Sequence, residues 1–427
     1  MNGTMSEEGK GPRHVILAYS GGLDTSVAIP WIKEKYGAEV TTLTVDVGQE
    51  GELGDALERA RANGARDSVF VDLKEAFAEE FLFPGLKANA LYQGVYPLST
   101  SLARPLIVRA LVETARRLGA DAVAHGCTGK GNDQVRFDVG VKTLAPELRI
   151  IAPVREWDMN RTDEMAFARE RGLHIHQKPE SPYSVDENLW GRSVEGGILE
   201  DPAAPPPEEV FDWTGHPDTW PAGPEEVTVG FQEGVPETLD GHMLSPVELI
   251  RTLNRRAGRH GIGRIDHVED RVVGIKSRET YECPAATVLI QAHQALESLV
   301  LPRDLLSFKA GVDRRFAELV YEGFWYSPLR SALEAFEDST QATVSGEVTL
   351  RFFQGTSKVV SRKSPYSLLS RELVTYDRGS TFPQRAAEGF IHLYGLANRT
   401  AYARRKEAHP LGEEGEIPAP GPVLPPP

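Results

Sequence analysis

Cysteine and long apolar runs are the scarcest features of this 427-residue sequence. Only Cys127 and Cys283 are present, and they form no C-x-x-C pair, which excludes a zinc ribbon and a disulfide framework. No apolar run approaches the roughly 18 residues that a membrane-spanning helix needs, so we expect no membrane partner. Residues 1–13 lack the apolar core of a secretory signal. Together these absences predict a cytoplasmic protein.

Positive charge is also in short supply. Lysine and arginine total 47 against 62 aspartate and glutamate residues, so the formal net charge is −15. A negatively charged protein surface repels the phosphate backbone, which argues against a nucleic-acid partner. The basic stretch 251–261 lacks interleaved aromatic residues and is expected to be a solvated helix face. Any anionic substrate must therefore be held by local groups.

Residues 14–180 alternate short apolar segments with helix-like segments, which is typical of an α/β fold with a parallel sheet. Helices are predicted over 24–36, 52–63 and 101–118. The predicted strands are nearly all apolar, as strands covered on both faces are. These strands are "HVILAYS", "VTTLTVDVG", "SVFVDL", "DAVAHG" and "LRIIAPV". The pattern predicts a doubly wound domain.

The pattern changes after residue 180 and predicts an α+β domain over 181–382. Asp240-Gly241 is the signal of a tight hairpin within it. Residues 383–406 predict one amphipathic helix, which packs either on another subunit or on its own chain. Residues 1–13 and 407–427 lack apolar periodicity and are predicted to be disordered.

The stretch AYSGGLDTS, residues 18–26, predicts a phosphate site between a strand and a helix. The first N–H groups of a helix have no partner within it, and Gly21 and Gly22 let the backbone approach a ligand closely. The loop has neither the lysine of a Walker A motif nor the G-x-G-x-x-G of a dinucleotide site. Asp24 would repel phosphate unless a cation bridges them, so it indicates Mg²⁺ there, or else a helix N-cap.

SGGLDTS after a strand resembles the PP-loop of the N-type ATP pyrophosphatases, which split ATP between its α- and β-phosphates. Four longer stretches and the short "DVGQ" resemble the argininosuccinate synthase family. The likeness runs from about residue 14 to 405, with the blocks in order at similar spacings. The longer stretches are 95–107, 125–137, 181–202 and 261–285.

This resemblance implies a ligase that joins citrulline and aspartate through a C–N bond, in arginine biosynthesis. ATP, with Mg²⁺, would be a substrate, giving a citrullyl-AMP intermediate and releasing AMP and pyrophosphate. No permanent metal site and no tightly bound prosthetic group are implied. The resemblance makes 14–180 the nucleotide-binding domain, 181–382 the synthetase domain and 383–406 the arm of a homotetramer. Another PP-loop ligase, such as a tRNA-modifying enzyme, and a non-enzymatic ATP sensor are the alternatives.

The resemblance also implies a role for individual residues. ATP would be held by Ala18, Tyr19, Ser20, Gly21, Gly22, Leu23, Asp24, Thr25, Ser26, Val45 and Gly126. Citrulline would be bound by Tyr96, Ser101, Asn132, Arg136, Ser184, Ser193, Glu269 and Tyr281. Aspartate would be bound by Thr128, Asn132 and Asp133. Asp24, Asp133 and Arg136 are the catalytic candidates, and Cys127 has no assigned role.

These residue types suit an amino-acid substrate. Glu269 can bind the ammonium group of citrulline and Arg136 its carboxylate, the latter with two parallel hydrogen bonds. Asp133 can orient the amine of aspartate or accept a proton from it. Taken singly, the same residues also suit ordinary roles. Glu269 could be a solvated turn residue, and Arg136 could form a surface ion pair. Tyr96 and Tyr281 could be core aromatic residues.

Overall fold

The computed structural model describes residues 11–49, 53–175 and 182–408. Most of the two predicted disordered segments lies outside the described residues. The chain divides into two compact units, Met1–Leu368 and Leu369–Pro427. In the part of the chain that the structure describes, no helix is long and apolar enough to cross a membrane.

The first segment of the larger unit, residues 14–170, contains a five-stranded parallel sheet, which confirms the predicted α/β fold. Its strand order is β3-β2-β1-β4-β5, and each pair of neighbours is parallel. The strands are β1 (His14–Ala18), β2 (Glu39–Asp46), β3 (Asp67–Asp72), β4 (Ala122–Ala124) and β5 (Arg149–Ile151). The helices of this segment are α1 (Leu23–Tyr36), α2 (Leu53–Ala62), α3 (Lys74–Phe77), a π-helix (Ala78–Leu82), α4 (Phe83–Lys87), α5 (Ser99–Leu118), α6 (Asp133–Leu144), α7 (Pro153–Glu156) and α8 (Arg161–Glu170).

Alternating apolar residues cover the sheet on both faces. In β1, Val15 and Leu17 pack with residues of α1, α2 and α8. Ile16, with Leu43 and Val45 of β2, belongs to the core on the side of α5. Burial on both faces explains why these strands are apolar throughout rather than alternating with polar residues. The sheet is therefore doubly wound, as predicted.

The second segment, residues 184–363, is built from two antiparallel sheets and four α-helices. One sheet has the order β10-β9-β8-β13-β14 and the other the order β11-β12-β7-β6. Asp240 and Gly241 both have positive φ and turn β9 into β10, which confirms the hairpin signal. The strands are β6 (Ser184–Asn188), β7 (Gly191–Glu195), β8 (Glu225–Gln232), β9 (Val235–Leu239), β10 (His242–Met243), β11 (Arg264–Asp270), β12 (Lys276–Glu282), β13 (Gly346–Phe353) and β14 (Thr356–Lys363).

Four α-helices accompany these sheets, and two of them were not predicted. They are α9 (Pro246–Arg259), α10 (Pro284–Val300), α11 (Arg303–Tyr321) and, further along, α12 (Pro328–Thr340), of which α11 and α12 lie in sequence that carried no prediction. Leu289 of α10 and Phe316 of α11 belong to the same core as α5. The two segments of the first unit therefore share a continuous core.

The C-terminal unit differs from the prediction of one helix over 383–406. It contains α13 (Arg371–Val374), α14 (Gln384–Tyr394) and α15 (Leu396–Ala408). A turn at Gly395 separates the last two helices, and glycine is a poor helix former because its backbone loses the most entropy on folding. None of the described side chains of α14 and α15 is buried in the single chain.

Candidate active site

The candidate site lies at the carboxyl edge of the parallel sheet, where the strand order reverses direction. β1 lies between β2 and β4 and runs parallel to both. The loop after β1 and the loop after β4 therefore leave the sheet side by side, which is where doubly wound folds bind ligands. Residues 19–22 form the first loop and residues 125–132 the second.

The first loop presents backbone N–H groups at the start of α1. Gly21 has a φ of +79°, a left-handed conformation that glycine adopts without strain, and Gly22 is the N-cap. No side chain in the described part of the chain caps α1, so its first N–H groups remain available to a phosphate. The alternative prediction that Asp24 is the N-cap is wrong, because the helix begins at Leu23 and Asp24 lies in its first turn.

Hydroxyl groups brace the first loop from within. Ser20 Oγ accepts a hydrogen bond from the Gly22 N–H at 3.3 Å and lies 3.2 Å from Thr25 Oγ1. Tyr19 is buried, and its Oη lies 3.0 Å from Ser26 Oγ. These hydrogen bonds fix the shape of the loop.

Charged groups flank the first loop on two sides. A Cβ on Gly21 would stand 3.0 Å from Arg59 Nη2, so this guanidinium lies against the loop and supplies a positive charge that the loop lacks. On the other side, Glu164 of α8 lies near Asp24. Burial, and then the charge of Asp24, raises the pKa of Glu164 to about 8. The two carboxyl groups therefore do not both add full negative charge beside the loop at neutral pH.

The second loop is packed directly against the first. A Cβ on Gly126 would stand only 2.9 Å from Thr25 Cγ2, so glycine is needed there. His125 Nδ1 accepts a hydrogen bond from the Cys127 N–H at 3.2 Å. Its Nε2 therefore carries the ring proton and donates it to Asp138 Oδ1 at 2.9 Å. This chain of bonds fixes the direction in which the loop leaves β4.

Five residues predicted to bind citrulline meet behind the second loop, and all five are buried. Asn132 Nδ2 lies 3.5 Å from Glu269 Oε1, and Arg136 follows Asn132 by one helical turn at the start of α6. Tyr281 stacks on Tyr96 with ring centroids 4.2 Å apart. Because Glu269 and Arg136 are buried, they are neither a solvated turn residue nor part of a surface ion pair.

Two carboxyl groups share the hydroxyl of Tyr281. Its Oη lies 2.8 Å from Glu269 Oε2 and 2.8 Å from Glu279 Oε2. One hydroxyl has a single proton, so one of the two carboxyls must donate rather than accept. Burial, and then the charge of Glu269, raises the pKa of Glu279 to about 8. Glu279 is therefore the protonated partner, and Tyr281 donates to Glu269.

Asp133 lies between two arginines at the start of α6. Arg104 Nη2 is 2.7 Å from Asp133 Oδ2, and Arg136 Nη1 is 2.8 Å from Oδ1. Burial acts to raise the pKa of Asp133, but the two guanidinium groups outweigh it and lower the pKa to about 2. Arg104 also pairs with Asp186 of β6. A carboxylate with so low a pKa is a weak proton acceptor at neutral pH.

The remaining predicted residues are less closely connected to this cluster. Thr128 and Ser184 are exposed, and Ser193 Oγ contacts the carbonyl of Asp186 at 3.4 Å. Ser101 is buried, and its Oγ has no hydrogen-bond partner among the described residues. The carbonyl of Val45, at the end of β2, accepts a hydrogen bond from Gln49 Nε2 at 2.7 Å.

Four residues that belong to the same hydrogen-bonded group as the predicted site residues were not identified from the sequence. Arg104, Asp186 and Glu279 lie within stretches that resemble the family, and a signal was available for Arg104, which is the single charged residue of 95–107. Tyr321 lies at the end of α11, in sequence that carried no prediction, and nothing in its surroundings marked it.

A glycine loop at a helix N-terminus on a doubly wound sheet, beside a buried cluster of carboxyl, guanidinium and tyrosine side chains, is typical of an ATP-using enzyme. Comparison with known families agrees. The Arginosuccinate synthase N-terminal HUP domain matches residues 14–174, and the Arginosuccinate synthase C-terminal domain matches residues 183–401. The chain belongs to the argininosuccinate synthase family.

Individual relatives are similar over nearly the whole chain. The argininosuccinate synthase of Rubrobacter xylanophilus is 54% identical over 91% of this chain and 95% of its own length. That of Pyrococcus furiosus is 52% identical over 94% of this chain and 98% of its own length. The chain is therefore an ATP-dependent ligase that forms a C–N bond and makes argininosuccinate. A tRNA-modifying activity is not favoured.

Proposed function

We propose that the described site makes argininosuccinate from citrulline, aspartate and ATP in two steps. The ureido carbon of citrulline is a poor electrophile, and its oxygen is a poor leaving group. In the first step this oxygen attacks the α-phosphorus of ATP, pyrophosphate leaves, and citrullyl-AMP forms. In the second step the amine of aspartate attacks the activated carbon and AMP leaves. Negative charge builds on pyrophosphate in the first step, where fixed donors stabilise it best.

ATP is assigned to the first loop and to Gly126. The N–H groups at the start of α1, the hydroxyls of Ser20 and Thr25 and the nearby Arg59 guanidinium are suitable donors for phosphate oxygens. ATP would enter as its magnesium complex. Asp24 and the hydroxyl oxygens beside it are hard oxygen donors of the kind that Mg²⁺ takes. Bound there, Mg²⁺ would offset the charge of the leaving pyrophosphate.

Citrulline is assigned to the buried cluster around Tyr321, and the observation that carries this proposal is that the Glu269 carboxylate and the Arg136 guanidinium both contact Tyr321. Both side chains are buried, and Asn132 Nδ2 lies 3.5 Å from Glu269 Oε1. Buried charges need complementary partners, and an α-amino acid offers an ammonium group to the carboxylate and a carboxylate to the guanidinium. The tip of citrulline is neutral, so hydroxyl and amide groups suffice for the rest.

Aspartate is assigned to Thr128, Asn132 and Asp133, on the same loop that carries Gly126. The low pKa of Asp133 makes orientation of the aspartate ammonium a better role for it than acceptance of a proton. The second substrate would thus lie between the nucleotide loop and the citrulline pocket, as the second step requires.

The roles of the domains, the assembly and the cellular location are part of the same proposal. We assign 14–180 to nucleotide binding, 181–382 to the synthetase domain and 383–406 to contacts in a homotetramer. The exposed apolar residues of α14 support a role in assembly, since Phe390 and Tyr394 are 62% and 70% exposed in the single chain. A cytoplasmic location agrees with the low cysteine content.

Pyrophosphate release from Mg·ATP tests the proposed function. Rapid release should need both citrulline and aspartate, and AMP and argininosuccinate should appear in equal amounts. Citrulline alone should give at most one equivalent of pyrophosphate per site. Release that is independent of citrulline would contradict the order of the two steps.

A further inference from the structure

Tyr321 contacts three of the residues assigned to citrulline, although it lies far from them in the sequence. It is the last residue of α11 and is fully buried. Its hydroxyl contacts Asn132 and Glu269, and its carbonyl and ring contact Arg136. A tyrosine that only filled the core would need a single partner for its hydroxyl.

The directions of the hydroxyl bonds follow from a backbone group. Asn132 Oδ1 accepts a hydrogen bond from the Val272 N–H at 2.8 Å, so the amide must turn its Nδ2 toward Tyr321. Nδ2 then donates to Tyr321 Oη at 2.8 Å, and the only proton of Tyr321 goes to Glu269 Oε1 at 2.6 Å. Burial, and then the charge of Glu269, raises the pKa of Tyr321 well above its usual range, so the hydroxyl keeps this proton.

With this bond, each oxygen of Glu269 has a tyrosine donor. Tyr321 donates to Oε1 and Tyr281 donates to Oε2, at 2.6 Å and 2.8 Å. The two donors come from different elements, α11 and β12, so the carboxylate cannot rotate without losing one of them. The plane of the carboxylate, and hence the direction of its remaining lone pairs, is fixed before substrate arrives.

The backbone and ring of Tyr321 hold Arg136 in the same way. Arg136 Nε donates to the Tyr321 carbonyl at 3.0 Å, and its guanidinium lies over the Tyr321 ring, 4.9 Å from the centroid. Tyr92 stacks on this ring at 3.5 Å with an angle of 4° between the planes. The next turn is also close, because a Cβ on Gly323 would stand 3.0 Å from Arg136 Cα.

We propose that Tyr321 is a positioning residue for citrulline, which aligns the carboxylate of Glu269, the amide of Asn132 and the guanidinium of Arg136 as one unit. It acts through these three residues and does not itself contact the reacting atoms. This inference rests on the proposed assignment of the three residues to citrulline. It gives α11, which supplies no predicted binding residue, a defined part in substrate recognition.

Tyr321→Phe separates the hydroxyl from the rest of the side chain. The variant keeps the stack on Tyr92 and the backbone bond to Arg136, and it removes only the bridge between Asn132 and Glu269. The citrulline KM should rise about tenfold or more, as expected for lost hydrogen bonds to a charged group. The KM for aspartate should rise less, because only Asn132 is shared, and that for ATP should stay within about twofold.

Tyr326→Phe is the matched control. Its hydroxyl donates to the carbonyl of Pro105 at 2.7 Å, so the variant loses one partly buried hydrogen bond in the same region. This variant should show a similar change in Tm and unchanged KM values. The proposal is overturned if Tyr321→Phe leaves the citrulline KM within about twofold of wild type. It is equally overturned if all three KM values rise by one common factor.

The Glu269→Gln variant distinguishes failure of the role proposed for Tyr321 from failure of the proposed function. If Glu269→Gln raises the citrulline KM and Tyr321→Phe does not, the citrulline assignment stands and only the role of Tyr321 is lost. If neither variant affects the citrulline KM, the citrulline assignment itself is wrong.

Discussion

Arg136 Nη1 donates a hydrogen bond to Asp133 Oδ1 at 2.8 Å, so a residue assigned to citrulline is paired with one assigned to aspartate. The two lie one turn apart on α6, with Arg104 on the other oxygen of Asp133. Because both assigned substrates meet at this pair, a change at one residue should affect the binding of both amino acids.

Asp133→Asn should raise the KM of aspartate and of citrulline together. The asparagine cannot pair with either arginine, and we expect each KM to rise by about tenfold to a hundredfold, while the KM of ATP changes little. Steady-state pyrophosphate release with each substrate varied measures this. Asp121→Asn is the control, since Asp121 accepts bonds from the backbone of Arg13 and His14 at the far end of β1. A selective rise for one amino acid would contradict the shared ion pair.

Gly126→Ala should weaken ATP binding specifically. Its new Cβ would push on Thr25 Cγ2 at 2.9 Å and displace the first loop, so the ATP KM should rise about tenfold. Gly129→Ala is a close control in the same loop, because the nearest atom to its Cβ would be Arg155 Cγ at 3.9 Å. Equal ATP KM values in the two variants would show that the contact between the loops does not matter for nucleotide binding.

Glu337→Gln should raise the stability of the protein in alkaline solution. Glu337 lies in a buried cluster around Lys309, with Lys309 Nζ 2.8 Å from its Oε2, and burial raises its pKa from 4.5 to about 9. Its stabilising contribution is complete below about pH 4.5 and is lost as the pH rises through about 9. The Tm of Glu337→Gln should therefore exceed that of wild type by an amount that grows over this range and then levels off.

Glu297→Gln, in the same cluster, should have the opposite effect. Burial acts to raise the pKa of Glu297, but nearby His293 and Lys309 and hydrogen bonds from Gln341 and Asn89 lower it overall. Its contribution is present above pH 4.5 and is lost as the pH falls, so the variant should be less stable at neutral pH. Parallel Tm profiles for the two variants between pH 5 and 9 would refute the raised pKa of Glu337, and a Glu297→Gln variant as stable as wild type at pH 7 would refute the lowered pKa of Glu297.

Deletion of residues 383–427 should reduce the size of the assembly. It removes α14 and α15, whose exposed apolar side chains would be covered in a tetramer. Deletion of residues 409–427 alone keeps both helices and should leave the assembly unchanged. Light scattering on the two deletions measures this, and an unaltered tetramer without residues 383–427 would exclude these helices from the interface.

The sequence predicted the fold where local patterns decide it. Strands buried on both faces, the glycine loop and the Asp240-Gly241 turn each have a signal within a few residues. Two helices of the second segment, α11 and α12, and the break at Gly395 were missed. A single glycine in an amphipathic pattern costs only about 1 kcal/mol relative to alanine, so the pattern alone did not show whether the helix would continue.

The site was predictable only in part, because its electrostatics depend on contacts between distant segments. The motif indicated Asp133 but not that Arg104 and Arg136 would take both of its oxygens. Likewise, no motif indicated that Tyr321 lies against Glu269, 52 residues away. Such pairings arise from how α5, α6, α11 and β11 pack together, which no local pattern encodes.

Transfer of oxygen from citrulline to AMP tests the central claim most directly. Citrulline labelled with ¹⁸O in its ureido group is incubated with the full-length protein, aspartate and Mg·ATP, and the AMP is analysed by mass spectrometry. Attack of the ureido oxygen on the α-phosphorus predicts one ¹⁸O in the phosphate of each AMP formed. AMP without the label, formed together with argininosuccinate, would contradict activation of citrulline by adenylation.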